Sequence, residues 1–205
     1  MKYNYGCVLL LLLTLTGCST PNYLPLSNSL SSSTGNMVVI GQFELTPALI
    51  PELEQKTYWN APDEGFLNSV LVATGRDKTP LSKPIKSNEW QATIKTELGQ
   101  PFMVDIQHQR TWLRGAMVLL DAMKQEYLWF PGGLYFEAPE TAKAVYIGTL
   151  QYHRDDFNRI VDIKVIDEYQ KTLATLGLTA QQDQIAKSLL RFETAQKPLL
   201  ITLLQ

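Results

Sequence analysis

Apolar and polar residues alternate with period two through most of the chain, the signature of strands with one face buried. The clearest stretch is residues 90–97, where Trp90, Ala92, Ile94 and Thr96 share one side and Gln91, Thr93, Lys95 and Glu97 the other. Gly99-Gln100-Pro101 then turns the chain into residues 102–109, where Phe102, Val104 and Ile106 alternate with Met103, Asp105 and Gln107. Residues 37–45, 68–74 and 159–166 read as further strands, and 112–120 is apolar enough for a strand buried on both faces. Strands over 127–130 and 134–137 are predicted on either side of a Pro131-Gly132-Gly133 turn, and 144–152 pairs with 159–166 across a loop at His153-Arg154-Asp155-Asp156. Many short strands separated by turn signals predict a mainly β, antiparallel β-sandwich.

After Asp167 the period lengthens towards four. Asp167 with Gln170 has capping-box spacing, Tyr169, Leu173 and Leu176 form one stripe, and Gly177 is a natural stop. Thr179 with Gln182 repeats the pattern ahead of Ile185, Leu189 and Phe192. One or two C-terminal α-helices are therefore expected, packed on the sheet. Residues 199–204 form an apolar tail suited to an edge strand or a last turn.

The N-terminus follows neither period. Residues 1–6 carry one side-chain cation, Lys2, and 7–15 are apolar, with leucine at five consecutive positions. That run is about half the roughly 20 residues a membrane span needs, and reads as a secretory signal. Its end, Leu15-Thr16-Gly17-Cys18, resembles the lipobox of bacterial lipoproteins. The resemblance implies cleavage between Gly17 and Cys18 and a diacylglyceryl thioether with further acylation on Cys18. It also implies, through Ser19, an outer-membrane address facing the periplasm. Residues 18–36, rich in Ser, Pro and Asn, read as a flexible tether about 20–25 Å in span. The expected organisation is thus a signal over 1–17, a lipidated tether over 18–36, a sandwich over 37–166 and a helical extension over 167–205.

The stretch from Pro131 to Leu176 also resembles uncharacterised bacterial lipoprotein sandwich domains. The resemblance rests on a Pro-Gly turn into Tyr135, the Val145-Tyr146-Ile147-Gly148-Thr149 strand and an alternating strand ending at an acidic helix start. It implies an Ig-like or transthyretin-like sandwich and no known activity.

Composition narrows the chemistry. Removal of the signal leaves 17 cations against 20 anions, which disfavours nucleic acid as a partner and offers no polybasic stretch for lipid headgroups. Only Cys7 and Cys18 exist. The mature domain then has no disulfide, cysteine zinc site or thiol nucleophile.

His108 and His153 are the only histidines, with no His-Glu-x-x-His helix, and no metal or other cofactor is expected. His108 reads as a strand-end residue at the core margin and His153 as a loop residue. His153-Arg154-Asp155 lacks the Gly-rich loop and downstream Asn of a kinase, and Asp155 and Asp156 read as turn formers. Glu137, Glu140, Asp155 and Asp156 are the candidate paired carboxylates. Of Tyr127, Trp129, Phe130, Tyr135 and Phe136, alternation places at least half in the core.

The expectation is a membrane-anchored, non-enzymatic binding or envelope-assembly module with a protein partner and an open strand edge. The alternatives are an envelope hydrolase or metal-dependent enzyme using His108 or His153, and a carrier with an apolar cavity.

Overall fold

A computed structural model describes residues 23–24, 26–32, 35–56, 67–76, 93–107, 111–121, 123–124 and 126–192. His108, Trp90 and the 199–204 tail lie outside the described residues, as do the signal and Cys18. The fold is mainly β, with two sheets packed face to face and a small helical part. The strands are β1 (Tyr23–Leu24), β2 (Asn36–Thr46), β3 (Ser69–Gly75), β4 (Thr93–Glu97), β5 (Pro101–Gln107), β6 (Thr111–Asp121), β7 (Glu126–Phe136), β8 (Ala144–Arg154), β9 (Ile160–Ile166), β10 (Ile185–Lys187) and β11 (Arg191–Phe192). Two α-helices, α1 (Pro51–Glu54) and α2 (Tyr169–Thr175), and a 3-10 turn (Thr179–Gln184) complete the described elements.

The first sheet runs β1-β4-β3-β6-β7-β11. The second runs β10-β8-β2-β5, with β9 also on β8. Alternation builds the core between them. Val70, Val72, Ile94, Val118, Leu128 and Phe130 from one sheet meet Val39, Phe43, Phe102, Val104, Leu150 and Tyr152 from the other.

The sheets are mixed, where pattern alone gave an antiparallel sandwich: β2 and β10 both run parallel to β8. In the β2–β8 pair two residues, Ile147 and Gly148, face Gly41 alone. Gly148 has φ +97°, a backbone state that suits glycine. The bulge reverses the phase of β8. Val145 and Ile147 point to the core before it, and Leu150 and Tyr152 after it.

Three local expectations are corrected. Pro131-Gly132-Gly133 is no turn: β7 passes straight through, with Gly132 and Gly133 bulging opposite Arg114. A Cβ on Gly132 would lie 2.2 Å from the Arg114 carbonyl oxygen, so the close approach itself requires glycine there. The second C-terminal helix is replaced by the 3-10 turn, β10 on the second sheet and β11 on the first. The four-residue spacing of Ile185, Leu189 and Phe192 comes from two short strands, and Leu190 between them is buried in the main core. The tether, third, is partly docked. Tyr23 and Leu24 pair with β4, Leu26 bridges Val104 of β5, and the Ser27 N–H donates to the Met103 carbonyl at 2.8 Å. This N-terminal strap therefore spans the seam between β4 of one sheet and β5 of the other.

Helix α2 covers one half of the second sheet's outer face. Leu173 packs with Val38, Ile40, Met103, Ala144, Tyr146, Leu178 and Ile185. The Tyr146 hydroxyl accepts the Glu168 N–H at 2.8 Å. No capping box forms at its start, where the Asp167 carboxylate accepts the Tyr169 N–H at 3.2 Å instead. The end is as expected: Gly177 has φ +69°, its N–H bonds the Ala174 carbonyl, and the Leu178 N–H bonds Leu173, a Schellman stop.

Candidate functional site: the loop pole

Strands β2, β8, β6 and β4 all end at one pole of the sandwich, where residues 47–56, 98–100, 123–124 and 155–159 follow them. Pro51 sits at the start of α1, where its missing N–H costs nothing. The Glu54 carboxylate reaches back to accept the Ile50 N–H at 2.8 Å.

Arg154 locks this loop to the β8–β9 hairpin. Its side chain is only 7% exposed, and each of its five N–H donors has an acceptor. Nε bonds the Pro47 carbonyl at 3.1 Å. One terminal nitrogen bonds the Ala48 carbonyl and Glu54 Oε2, both at 2.9 Å. The other bonds Glu54 Oε1 and, at 2.5 Å, the Asn158 side-chain oxygen. A buried guanidinium is stable only when so satisfied. The Arg154 hydrogen bonds hold the Glu54 carboxyl below its ordinary pKa.

Two further ties fix the other side. Buried Gln55 donates to the Leu119 carbonyl at 2.7 Å and accepts the Asn68 N–H at 2.9 Å. The Lys56 N–H donates to the Leu120 carbonyl at 2.7 Å.

In the hairpin, Asp155 is the expected turn former. It accepts the Phe157 and Arg159 N–H groups at 2.9 Å and Arg159 Nε at 2.7 Å. The Arg159 guanidinium lies 5.2 Å from the Phe157 ring centroid. Those bonds to Arg159, ahead of the one from Phe157, lower the pKa of Asp155.

On these braced loops the exposed apolar residues collect. Among the described residues, the large hydrophobic side chains at least half exposed are Leu26, Ile50, Leu53, Met123, Phe157 and Val161. All but Leu26 lie at or next to this pole, and Leu53, Met123 and Phe157 are 74–79% exposed. A recess of about 300 Å³, lined by Glu44, Leu45, Ala48, Leu49, Asn68, Leu98 and Gly99, opens beside them.

His153 belongs to strand β8 and pairs with Asp162 of β9, not to a loop as its neighbours suggested. On the outer face it heads a chain of polar groups. His153 Nε2 lies 2.9 Å from Gln151 Oε1, Gln151 Nε2 donates to Glu44 Oε2 at 3.1 Å, and Gln42 Nε2 donates to Glu44 Oε1 at 2.9 Å. Because the Gln151 amide donates towards Glu44, its oxygen faces the histidine, which assigns the proton to Nε2 and leaves Nδ1 as an acceptor.

The other predicted site residues are dispersed. Glu137 pairs with Arg191 at 2.7 Å, beyond the far end of β7, while Asp155 and Asp156 are at the loop pole. Glu140 follows Glu137, so the four carboxylates are not brought together. No group of three or more His, Cys, Asp or Glu suited to a metal ion occurs among the described residues. Phe130 and Phe136 are in the core, Tyr127 and Trp129 pack in a smaller cluster with Ala73 and Met117, and Tyr135 lies on Trp112 at 4.7 Å.

The void between the sheets measures about 20 Å³, room for about one water and far below the roughly 300–1,000 Å³ of a ligand pocket. A carrier cavity is therefore not formed among the described residues. Burial pushes the phenol of Tyr152 far above its ordinary pKa, so it remains a donor, bonded to the Pro131 carbonyl at 3.0 Å.

Comparison with protein-family models, with curated proteins and with solved structures finds no match to this chain. Sequence reasoning picked out His153, Asp155 and Asp156 but missed Arg154 as the organising residue. A lone arginine beside a turn carries no signal of burial; its partners Pro47, Ala48 and Glu54, a hundred residues away, supply it.

Proposed function

We propose that the chain is a lipid-anchored module of a bacterial envelope, directed to the outer membrane and facing the periplasm, which binds another envelope protein rather than catalysing a reaction. Leu15-Thr16-Gly17-Cys18 after an apolar run supports the anchor. Each buried acyl methylene contributes about 0.8 kcal/mol, so two or three chains on Cys18 hold firmly.

The observation that carries the binding reading is the gathering of exposed apolar side chains at the loop pole. Strand β1 runs parallel to β4, whose last residue is at the loop pole, so β1 is directed towards that pole. The proposed anchor thus precedes a strand that points towards the apolar loops. Surface recognition also suits a domain whose interior is filled by its own side chains.

Palmitate labelling of the full chain tests the anchor. Wild-type protein is expected to incorporate label and partition with membranes, and Cys18→Ala to do neither while keeping its thermal midpoint. Membrane retention of a cleaved Cys18→Ala chain would defeat the reading.

A further inference from the structure

We propose that the loop pole is a pre-shaped apolar plug that docks into an apolar cleft of a second protein. This deepens the binding reading above and rests on it.

Tyr23 pairs with Thr93 and, through Ala73, stands level with Gly115 of β6, six residues short of Asp121 at the pole. The chain therefore joins the sheet about 20 Å from the pole, at roughly 3.3 Å per residue, and runs towards it. Two observations favour a protein over a bilayer as the occupant of a pole so placed.

The first is charge. Lys56, Lys124 and Arg159 are matched at the pole by Glu52, Glu126, Asp155 and Asp156. Anionic headgroups attract a basic excess, and none is present among the described residues of the pole; interleaved charges of both signs around an apolar centre suit the polar rim of a protein interface.

The second is rigidity. Leu53 and Phe157 project from two loops joined through Arg154, and Met123 from a hairpin whose Lys124 N–H is held by Asp121 at 3.0 Å. Loops braced in one shape lose little conformational entropy on docking. Arg154 is accordingly a positioning residue of the interface: it touches no partner but sets the relative placement of Leu53 and Phe157.

The test is photo-cross-linking in the native cells, using the full chain with a benzophenone side chain at position 53, 123 or 157, and at position 26 as an exposed control. The expected result is one discrete adduct, of the same mass from all three pole positions and absent from position 26. A second chain carrying Phe157→Asp with the cross-linker at 53 should lose the adduct at least tenfold, with a thermal midpoint within about 2 °C of wild type. Arg154→Lys, which keeps the charge but not the five-donor fork, should weaken it several-fold.

An adduct of twice the chain mass would overturn the proposal in favour of self-association, and an internal cross-link to residues 193–205 in favour of the chain's own tail. Flotation of Cys18→Ser protein with phosphatidylethanolamine–phosphatidylglycerol vesicles, lost on Phe157→Asp, would overturn it in favour of a membrane. Absence of any adduct from the pole would overturn it outright. Palmitate labelling of the same samples separates failure of the anchor reading from failure of the plug.

Discussion

On the outer face of the second sheet, Val38, Ile40 and Tyr146 lie beneath α2, while Gln42, Glu44, Gln151 and His153, further along the same two strands, form a polar chain beyond it. The two halves share strands β2 and β8, although β10 flanks β8 before the Gly148 bulge and β9 after it. They differ in what covers them. Where residues 169–190 fold back, the strands carry apolar side chains that lose their contact with water. Where that cover ends, the same face changes to amides, a carboxylate and an imidazole. The change coincides with the Gly148 bulge, which keeps Leu150 and Tyr152 in the core and turns Thr149, Gln151 and His153 outward. A sheet face thus records how far its own chain reaches over it.

This contrast breaks most readily from the covered side. Leu173→Ala empties a fully buried position in the covering cluster and should cost about 2–5 kcal/mol, read as a lower urea midpoint with unchanged slope. Gly148→Ala strikes the boundary. Its Cβ would lie 3.0 Å from Val165 Cγ1 and 3.3 Å from the Ile166 carbonyl at a positive φ, so a loss of about 1–3 kcal/mol is expected. A stable Gly148→Ala protein would show that the bulge is not what divides the face.

Glu168 gives the boundary a pH dependence. Its hydrogen bond to Lys171, ahead of that from Thr149, holds its pKa below 4.5 in the fold. The stability it adds is present above the unfolded-state value and lost as pH falls through the lower folded-state value. Wild type and Glu168→Gln, followed by thermal midpoint from pH 7 to pH 3, should converge in acid; curves that stay parallel would remove Glu168 from the helix contact. Smallest of all, His153→Ala on the polar half should change stability by no more than about 0.5 kcal/mol, since its side-chain bond to Gln151 lies at a partly exposed surface. A larger loss would show that the polar chain stabilises the fold rather than merely decorating it.

Local alternation made several strands legible, because β5 and β9 each repeat polar and apolar positions within seven residues. The parallel pairing of β2 with β8 was not legible, since strands a hundred residues apart carry no local mark of partnership. Pro131-Gly132-Gly133 misled because the same residues serve a hairpin turn and a bulge; only the backbone of Arg114 across the ladder distinguishes them. The polar N-terminal stretch misled by average composition, although its few apolar residues, Leu24, Leu26 and Leu30, mark where it docks or packs. At the candidate site Phe157 and Leu53 carry no local mark in the sequence, and their grouping depends on Arg154.

The strap across the seam has a mechanical consequence. Only five residues lead from Cys18 to Tyr23, about 17 Å at full extension. If Cys18 is the anchored residue, as proposed above, tension on it would load the β1–β4 pair first, then the Leu26–Val104 bridge, before any of it reached β2. Those pairs are few and yield one at a time, like a zip. Peeling them back to Asn36 would lengthen the mooring to roughly 60 Å with the ladders from β2 to β5 and β8 still intact. A domain held in this way sits close to its support at rest and gives slack under load.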